Sequence, residues 1–128
     1  MKLQRPRLLV IDDNAQIQKI LTNLLRNDFL ISTAGEGFEG YSRALSHRPD
    51  IVILDYEMPG WDGLQTLRAF RENPRLADIP ILMLTACSDK ETAFAIIGAG
   101  ANAYLLKTRI EREELVERLE SLLPTATR

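Results

Sequence analysis

Cysteine and histidine are nearly absent from this chain of 128 residues, each occurring once, as Cys87 and His47. A lone cysteine excludes an internal disulfide and suits a reducing, cytoplasmic setting. Long apolar runs are missing too. The longest, such as Leu8 to Ile11 and Ile51 to Leu54, fall far short of the roughly 18 residues a membrane helix needs. The opening Met1-Lys2-Leu-Gln-Arg-Pro-Arg7 leads into a short apolar run without a small-residue cleavage site, so no secretory signal is expected. An excess of one charge is also lacking: 16 Lys plus Arg stand against 18 Asp plus Glu, a net −2. That balance argues against a dedicated nucleic-acid domain, which concentrates basic residues on one face. Arg5 and Arg7 read as a solvated N-terminus. What is present, 45% hydrophobic and 27% charged residues, describes one soluble globular domain and excludes disorder and collagen-like repeats.

Five short apolar runs have strand length: Leu8 to Ile11, Phe29 to Ile31, Ile51 to Leu54, Ile81 to Leu84 and Tyr104 to Leu106. Segments of helical period lie between them. Ile17, Ile20, Leu21, Leu24 and Leu25 form one stripe, which predicts a helix covering a sheet. Phe38, Tyr41 and Leu45 repeat the pattern before Pro49, and Leu64, Leu67 and Phe70 repeat it before Pro74; proline ends both helices. Ser88-Asp-Lys-Glu91 and Thr108-Arg-Ile-Glu111 predict capping boxes that open a fourth helix, through Phe94 and Ile97, and a fifth. The fifth turns Leu115, Leu119, Leu122 and Leu123 inward and places Glu114 to pair with Arg118.

Apolar strands alternating with helices imply a parallel sheet buried on both faces, a five-unit doubly wound α/β fold. Ligands of such folds bind beyond the carboxyl ends of the strands, where the strand order reverses. Asp12 and Asp13 follow the first run, Asp55 the third, Thr85 the fourth and Lys107 the fifth. If the first and third strands are neighbours, three carboxylates crowd one pocket. Like charges so close disfavour ionisation, and a divalent cation relieves the strain. Oxygen-only donors favour Mg²⁺. A carboxylate beside Mg²⁺ is able to attack phosphorus and form an acyl phosphate, with Lys107 and Thr85 suited to the phosphoryl oxygens. His47, before the Pro49 turn and away from these strand ends, reads as a solvated helix-end residue. Cys87 lies near the site but lacks a histidine partner.

At this constellation the sequence resembles the receiver domain of bacterial two-component response regulators. The matching pieces are Ile11-Asp12-Asp13, Leu54-Asp55-Tyr-Glu-Met-Pro59, Asp62-Gly63, Leu84-Thr85-Ala86, Gly100-Ala101 and Tyr104-Leu-Leu-Lys107. Their spacing is 42 residues from Asp13 to Asp55, 30 on to Thr85 and 22 on to Lys107. The resemblance implies a flavodoxin-like (βα)5 fold of strand order 2-1-3-4-5, with 1–124 as the receiver domain and 125–128 as a tail or the start of a linker. It implies that Asp55 accepts a phosphoryl group from a sensor histidine kinase or phosphotransfer protein. Asp13 and Asp55 then ligate Mg²⁺ directly, Asp12 through water and Glu57 through its backbone carbonyl. Thr85 and Lys107 bind the phosphoryl group, and Tyr104 turns inward as the Thr85 hydroxyl moves. The switching face is the fourth helix, fifth strand and fifth helix, which engages a downstream protein target or a fused output domain. Neither direct nucleic-acid binding nor membrane contact is implied.

Two positions depart from the family pattern. Thr108 replaces the usual proline after the lysine; a cis bond there costs about 3 to 4 kcal/mol instead of under about 1, so this peptide is open between cis and trans. Coupling from Asp55 to the switch face is expected to be weaker than in a Thr108→Pro variant; equal partner affinity of the two phosphorylated proteins would contradict this. Glu57 carries a free side chain that either repels an incoming phosphoryl anion or pairs with Lys107 at rest. It is expected to slow phosphorylation by acetyl phosphate, and Glu57→Ala tests this by rate. Trp61 reads as a partly exposed loop aromatic and a fluorescence reporter of Mg²⁺. Two other functions share these residues. A haloacid-dehalogenase-type phosphohydrolase carries a second acid at the offset of Glu57 and would release phosphate steadily from many donor equivalents. A never-phosphorylated interaction module usually lacks one of the five acceptor-site residues, all present here. The switch reading makes the domain a non-enzyme beyond its own phosphorylation and slow dephosphorylation.

Overall fold

The computed structural model describes residues 4–124; the tail expected at 125–128 lies outside them. Five strands, β1 (Arg7–Ile11), β2 (Leu30–Ala34), β3 (Ile51–Asp55), β4 (Ile81–Thr85) and β5 (Ala103–Leu106), alternate with α1 (Ala15–Leu25), α2 (Gly37–Ser46), α3 (Gly63–Glu72), α4 (Lys90–Gly98) and α5 (Arg112–Leu122). The sheet is parallel throughout, in the order β2-β1-β3-β4-β5. Two hydrophobic layers enclose it. Leu21 and Leu25 of α1 join Leu115 and Leu119 of α5 on one face. Ala44 of α2, Leu67 and Phe70 of α3 and Ile96 of α4 cover the other. The strand order reverses between β1 and β3, where Ile11 stands beside Leu54, so the residues after these strands share one crevice.

Burial on both faces holds for β3 and β4, every residue of which is buried, but not for the edges. Strand β2 starts one residue later than its apolar run and continues through Ser32 and Thr33 to Ala34. Phe29 is buried just before it, while Leu30 is 41% exposed. A strand with one neighbour leaves its outer edge to water, and polar residues are tolerated there.

Both predicted capping boxes are replaced. Asp89, not Ser88, caps α4, its carboxylate accepting from the Thr92 amide at 2.7 Å. Lys107–Arg109 form a 3-10 turn and α5 starts at Arg112, without a side-chain cap at Glu111. Arg112 anchors that start to Asp28 at 2.6 Å, a partner 84 residues away that local spacing does not reveal. No cis peptide occurs among the described residues, so Lys107–Thr108 is trans. Glu114 and Arg118 form no ion pair within 4.0 Å; among the described residues the acids paired with arginines are Glu39, Asp78, Asp28 and Glu113. Helix α4 buries only Ile96 and leaves Phe94 76% and Ile97 47% exposed.

Candidate functional site: an acidic cleft at the carboxyl edge of the sheet

The β1–α1 turn fixes the first two carboxylates. Asp12 is buried, with its amide on the Ala34 carbonyl at 3.0 Å and its Oδ1 accepting from the Asn14 amide at 2.9 Å. Asn14 in turn caps α1, its Oδ1 accepting from the amides of Gln16 and Ile17. Capping of this kind satisfies backbone N–H groups that the first helical turn leaves without partners. Asp13 sits exposed between these two anchored residues.

Asp55 ends β3 and is buried. Its Oδ1 accepts from Lys107 Nζ at 2.8 Å and from the Glu57 amide at 3.3 Å. The cleft depends on a close backbone approach: a Cβ on Gly63 would lie 2.5 Å from the Asp55 carbonyl oxygen, so only glycine lets α3 begin there. Asp62 caps that helix in a reciprocal box with Gln65.

Lys107 reaches both buried acids, standing 3.4 Å from Asp12 Oδ2 in ion-pair range, though not in hydrogen-bonding geometry. Burial draws the Lys107 ammonium down, but its bond to Asp55 and the charges of Asp12 and Asp55 outweigh this and its pKa is raised. Asp55 is pushed up to about 6, chiefly by burial and further by the charge of Asp12, against the lowering effect of Lys107 and the Glu57 amide. One ammonium therefore does not neutralise the cleft.

Asp12 Oδ2 and Asp55 Oδ2 are buried oxygens with no hydrogen-bond partner. One carboxylate oxygen from each of Asp12, Asp13 and Asp55 lies within 4.8 Å of the others. Buried polar atoms without partners are costly, and an all-oxygen anionic set at this spacing suits a hard divalent cation such as Mg²⁺. These three residues fit such an ion.

Thr85 ends β4, buried, its Oγ1 accepting from the Cys87 amide at 3.0 Å, which leaves its own proton free to donate. Tyr104 is half-buried on β5 against the α3 and α4 layer. Glu57 is exposed, and the alternative of a Lys107 pair is not realised: Lys107 hydrogen-bonds Asp55 and forms an ion pair with Asp12 instead. Trp61, half-buried as expected, packs its ring against Phe38 at 5.2 Å and Tyr41 at 5.6 Å. His47 is exposed at the end of α2. Half-buried Cys87 donates to Asp89 Oδ2 at 2.6 Å. One residue near the cleft escapes sequence reading: Gln18, whose side-chain amide donates to the carbonyls of Asp12 and Ala34. No motif marks it, since a glutamine on a helix normally faces water. A surface groove of about 630 Å³ runs between β2 and α2 along Leu30, Ser32, Ser42 and Arg43 and contains none of the cleft residues.

The chain is similar to the DNA-binding dual master transcriptional regulator RpaA of Synechocystis, 34% identical over 119 residues that cover 92% of this chain and 49% of RpaA. It is likewise 34% identical to the DNA-binding response regulator MtrA of Mycobacterium tuberculosis, over 96% of this chain and 53% of MtrA. The chain thus spans about half the length of the curated relatives it matches. Among solved structures, chemotaxis protein CheY4 of Vibrio cholerae superposes with a TM-score of 0.87 at 28% identity, covering 94% of this chain and 100% of that one. The receiver domain of sensor histidine kinase PA1611 from Pseudomonas aeruginosa, with a magnesium ion coordinated in its active site cleft, gives 0.85 at 26% identity, covering 93% and 98%. No helix among the described residues is long and apolar enough to cross a membrane. With residues 8–120 matching the response regulator receiver domain model, the chain belongs to the receiver domain family of two-component systems.

Proposed function

We propose that Asp55 is the phosphoacceptor of this receiver domain, taking its phosphoryl group from a phosphohistidine of a sensor kinase or phosphotransfer protein. The observation that carries this reading is the inequivalence of the two Asp55 oxygens. Oδ1 is held by Lys107 and the Glu57 amide, whereas buried Oδ2 has no partner. Attack by the carboxylate forms the P–O bond of an acyl phosphate as the P–N bond breaks, and the released imidazole takes up a proton. Asp13 and Asp55 would hold Mg²⁺ directly, Asp12 through water and Glu57 by its backbone carbonyl. The bound cation supplies charge neutralisation for the transferring group. Lys107 pairs with the phosphoryl oxygens, and Thr85, whose hydroxyl proton is uncommitted, donates to one of them.

The resulting shift of Thr85 and Tyr104 biases the surface formed by α4, β5 and α5. Exposed Phe94 and Ile97 give that surface the apolar contacts a protein target needs. Where the gene continues past Arg128, a fused output module of the DNA-binding kind named in RpaA and MtrA is the target. The domain itself, with a net charge of −2, makes no direct nucleic-acid or membrane contact. It acts in the cytoplasm and turns over only its own phosphate, so it is a switch and not an enzyme of external substrates.

Incubation with acetyl phosphate and Mg²⁺, followed by a phosphate-affinity gel, tests the assignment. A single retarded band is expected for the wild type and none for Asp55→Asn. Labelling that survives in the variant removes Asp55 as acceptor, and steady phosphate release over many equivalents would restore the hydrolase reading.

A further inference from the structure

We infer that Gln18 is a positioning residue for the Mg²⁺ site, fixing the backbone that aims Asp13. This rests on the reading of Asp12, Asp13 and Asp55 as the metal-binding acids. The three are not secured alike. Asp12 and Asp55 are buried, and each has one carboxylate oxygen in a hydrogen bond to a backbone amide. Asp13 is exposed, and among the described residues no hydrogen bond or ion pair holds its carboxylate. Only the backbone of its turn directs it.

Gln18 ties that backbone down from the helix side. Its own amide makes the opening bond of α1, to the Asn14 carbonyl at 3.1 Å. Its side-chain Nε2 reaches back to the carbonyl of Asp12 at 2.7 Å and to that of Ala34 at 3.3 Å. The Ala34 carbonyl also accepts from the Asp12 amide. One side chain therefore joins the first turn of α1 to the carboxyl ends of β1 and β2, bracketing Asp13 on both sides. The β1 ladder ends at Ile11, opposite Ala34 and Leu54, so the Asp12 carbonyl has no sheet partner and depends on Gln18. Hydrogen bonds that orient metal ligands tune the affinity of the site.

Gln18→Met keeps the length of the side chain and removes both N–H donors, and Gln18→Ala removes the side chain altogether. Mg²⁺ is titrated into the full chain, following Trp61 fluorescence and the backbone amide resonances of Asp12 to Asn14. Both variants are expected to bind Mg²⁺ about fivefold more weakly, the effect of losing roughly one hydrogen bond, with the Asp13 and Asn14 resonances already shifted before metal is added. Arg112→Ala, which releases Asp28 at the far end of α1, serves as the control: it is expected to lower stability and leave Mg²⁺ affinity unchanged. Gln18 variants that lose stability but bind Mg²⁺ like the wild type overturn the inference. A wild-type protein that binds no Mg²⁺ overturns the acidic-site reading instead, which keeps the two failures apart.

Discussion

The two ends of this sheet treat buried charge in opposite ways. At the amino-terminal end, Arg71 of α3 is half-buried and almost fully bonded. Its Nε donates to the Gly100 carbonyl at 2.9 Å, Nη1 to those of Ala77 at 3.1 Å and Ile79 at 2.8 Å, and Nη2 to Asn102 Oδ1 at 2.9 Å. The same Asn102 oxygen accepts from the Ile81 amide, so one cation ties α3 to the entrances of β4 and β5. Burial draws the Arg71 pKa down, with the charge of Asp78 opposing, yet a guanidinium stays protonated at any physiological pH. At the carboxyl end, three carboxylates face one ammonium, and two buried oxygens lack partners. A saturated charge ties strands together, whereas the unsaturated cluster is left open to the cation and phosphoryl group proposed for it.

Removing the saturated charge is expected to have the largest effect. Arg71→Ala should lower the free energy of unfolding by about 2 to 4 kcal/mol, since it takes the donor from the carbonyls of Ala77, Ile79 and Gly100 and leaves Asn102 Oδ1 with the Ile81 amide alone. Urea unfolding measures this, and Mg²⁺ affinity of the still-folded variant should be unaltered; a parallel loss of Mg²⁺ binding would mean that the two ends are not separable. Filling the unsaturated end comes next. Mg²⁺ at a hundred times its dissociation constant should stabilise the wild type by about 2.7 kcal/mol, and far less after Asp13→Asn.

Neutralising an acid there should stabilise the metal-free protein in a pH-dependent manner. The Asp55 pKa is raised from 3.8 to about 6 in the fold, so its protonated form favours folding below its unfolded pKa, and that contribution is lost as pH rises through about 6. Asp55→Asn should therefore match the wild type near pH 4 and exceed it by roughly 1 to 2 kcal/mol at pH 8 without Mg²⁺. Thermal melts at the two pH values check the sign. The smallest effect belongs to an exposed pair on neither end: Arg43, 3.1 Å from Glu39 one turn earlier on α2. Its alanine variant should cost no more than about 0.5 kcal/mol, with a salt dependence.

Periodicity was enough to recover the five strand-helix units, because every central strand and helix announces itself by local apolar spacing. The gathering of Asp12, Asp13, Asp55, Thr85 and Lys107 at one crevice was legible for a similar reason: a parallel sheet fixes which end of each strand faces the crevice. Features that depend on partners distant in sequence were not. Arg71 and Gln18 look like ordinary polar helix residues until carbonyls 6 to 29 residues away are in place. The capping boxes failed locally. Asp89 outcompetes Ser88 because its carboxylate takes both the Thr92 amide and the Cys87 thiol, and the turn carrying Lys107 occupies the residues that would have opened α5. Exposure of Phe94 and Ile97 was equally hidden, since an apolar residue on a helix does not reveal whether the sheet or a partner covers it.

The strand order has a kinetic consequence as well. Asp13 and Asp55 stand 42 residues apart in the chain, and the β1–β3 ladder that joins their strands closes across the whole of α1, β2 and α2. Such non-local pairing is the slow part of folding, and here the step that closes the loop is also the one that gathers the like charges. Refolding of the metal-free domain should therefore quicken when Asp55 is protonated or replaced by asparagine, and a divalent cation held between the two turns should speed the same step.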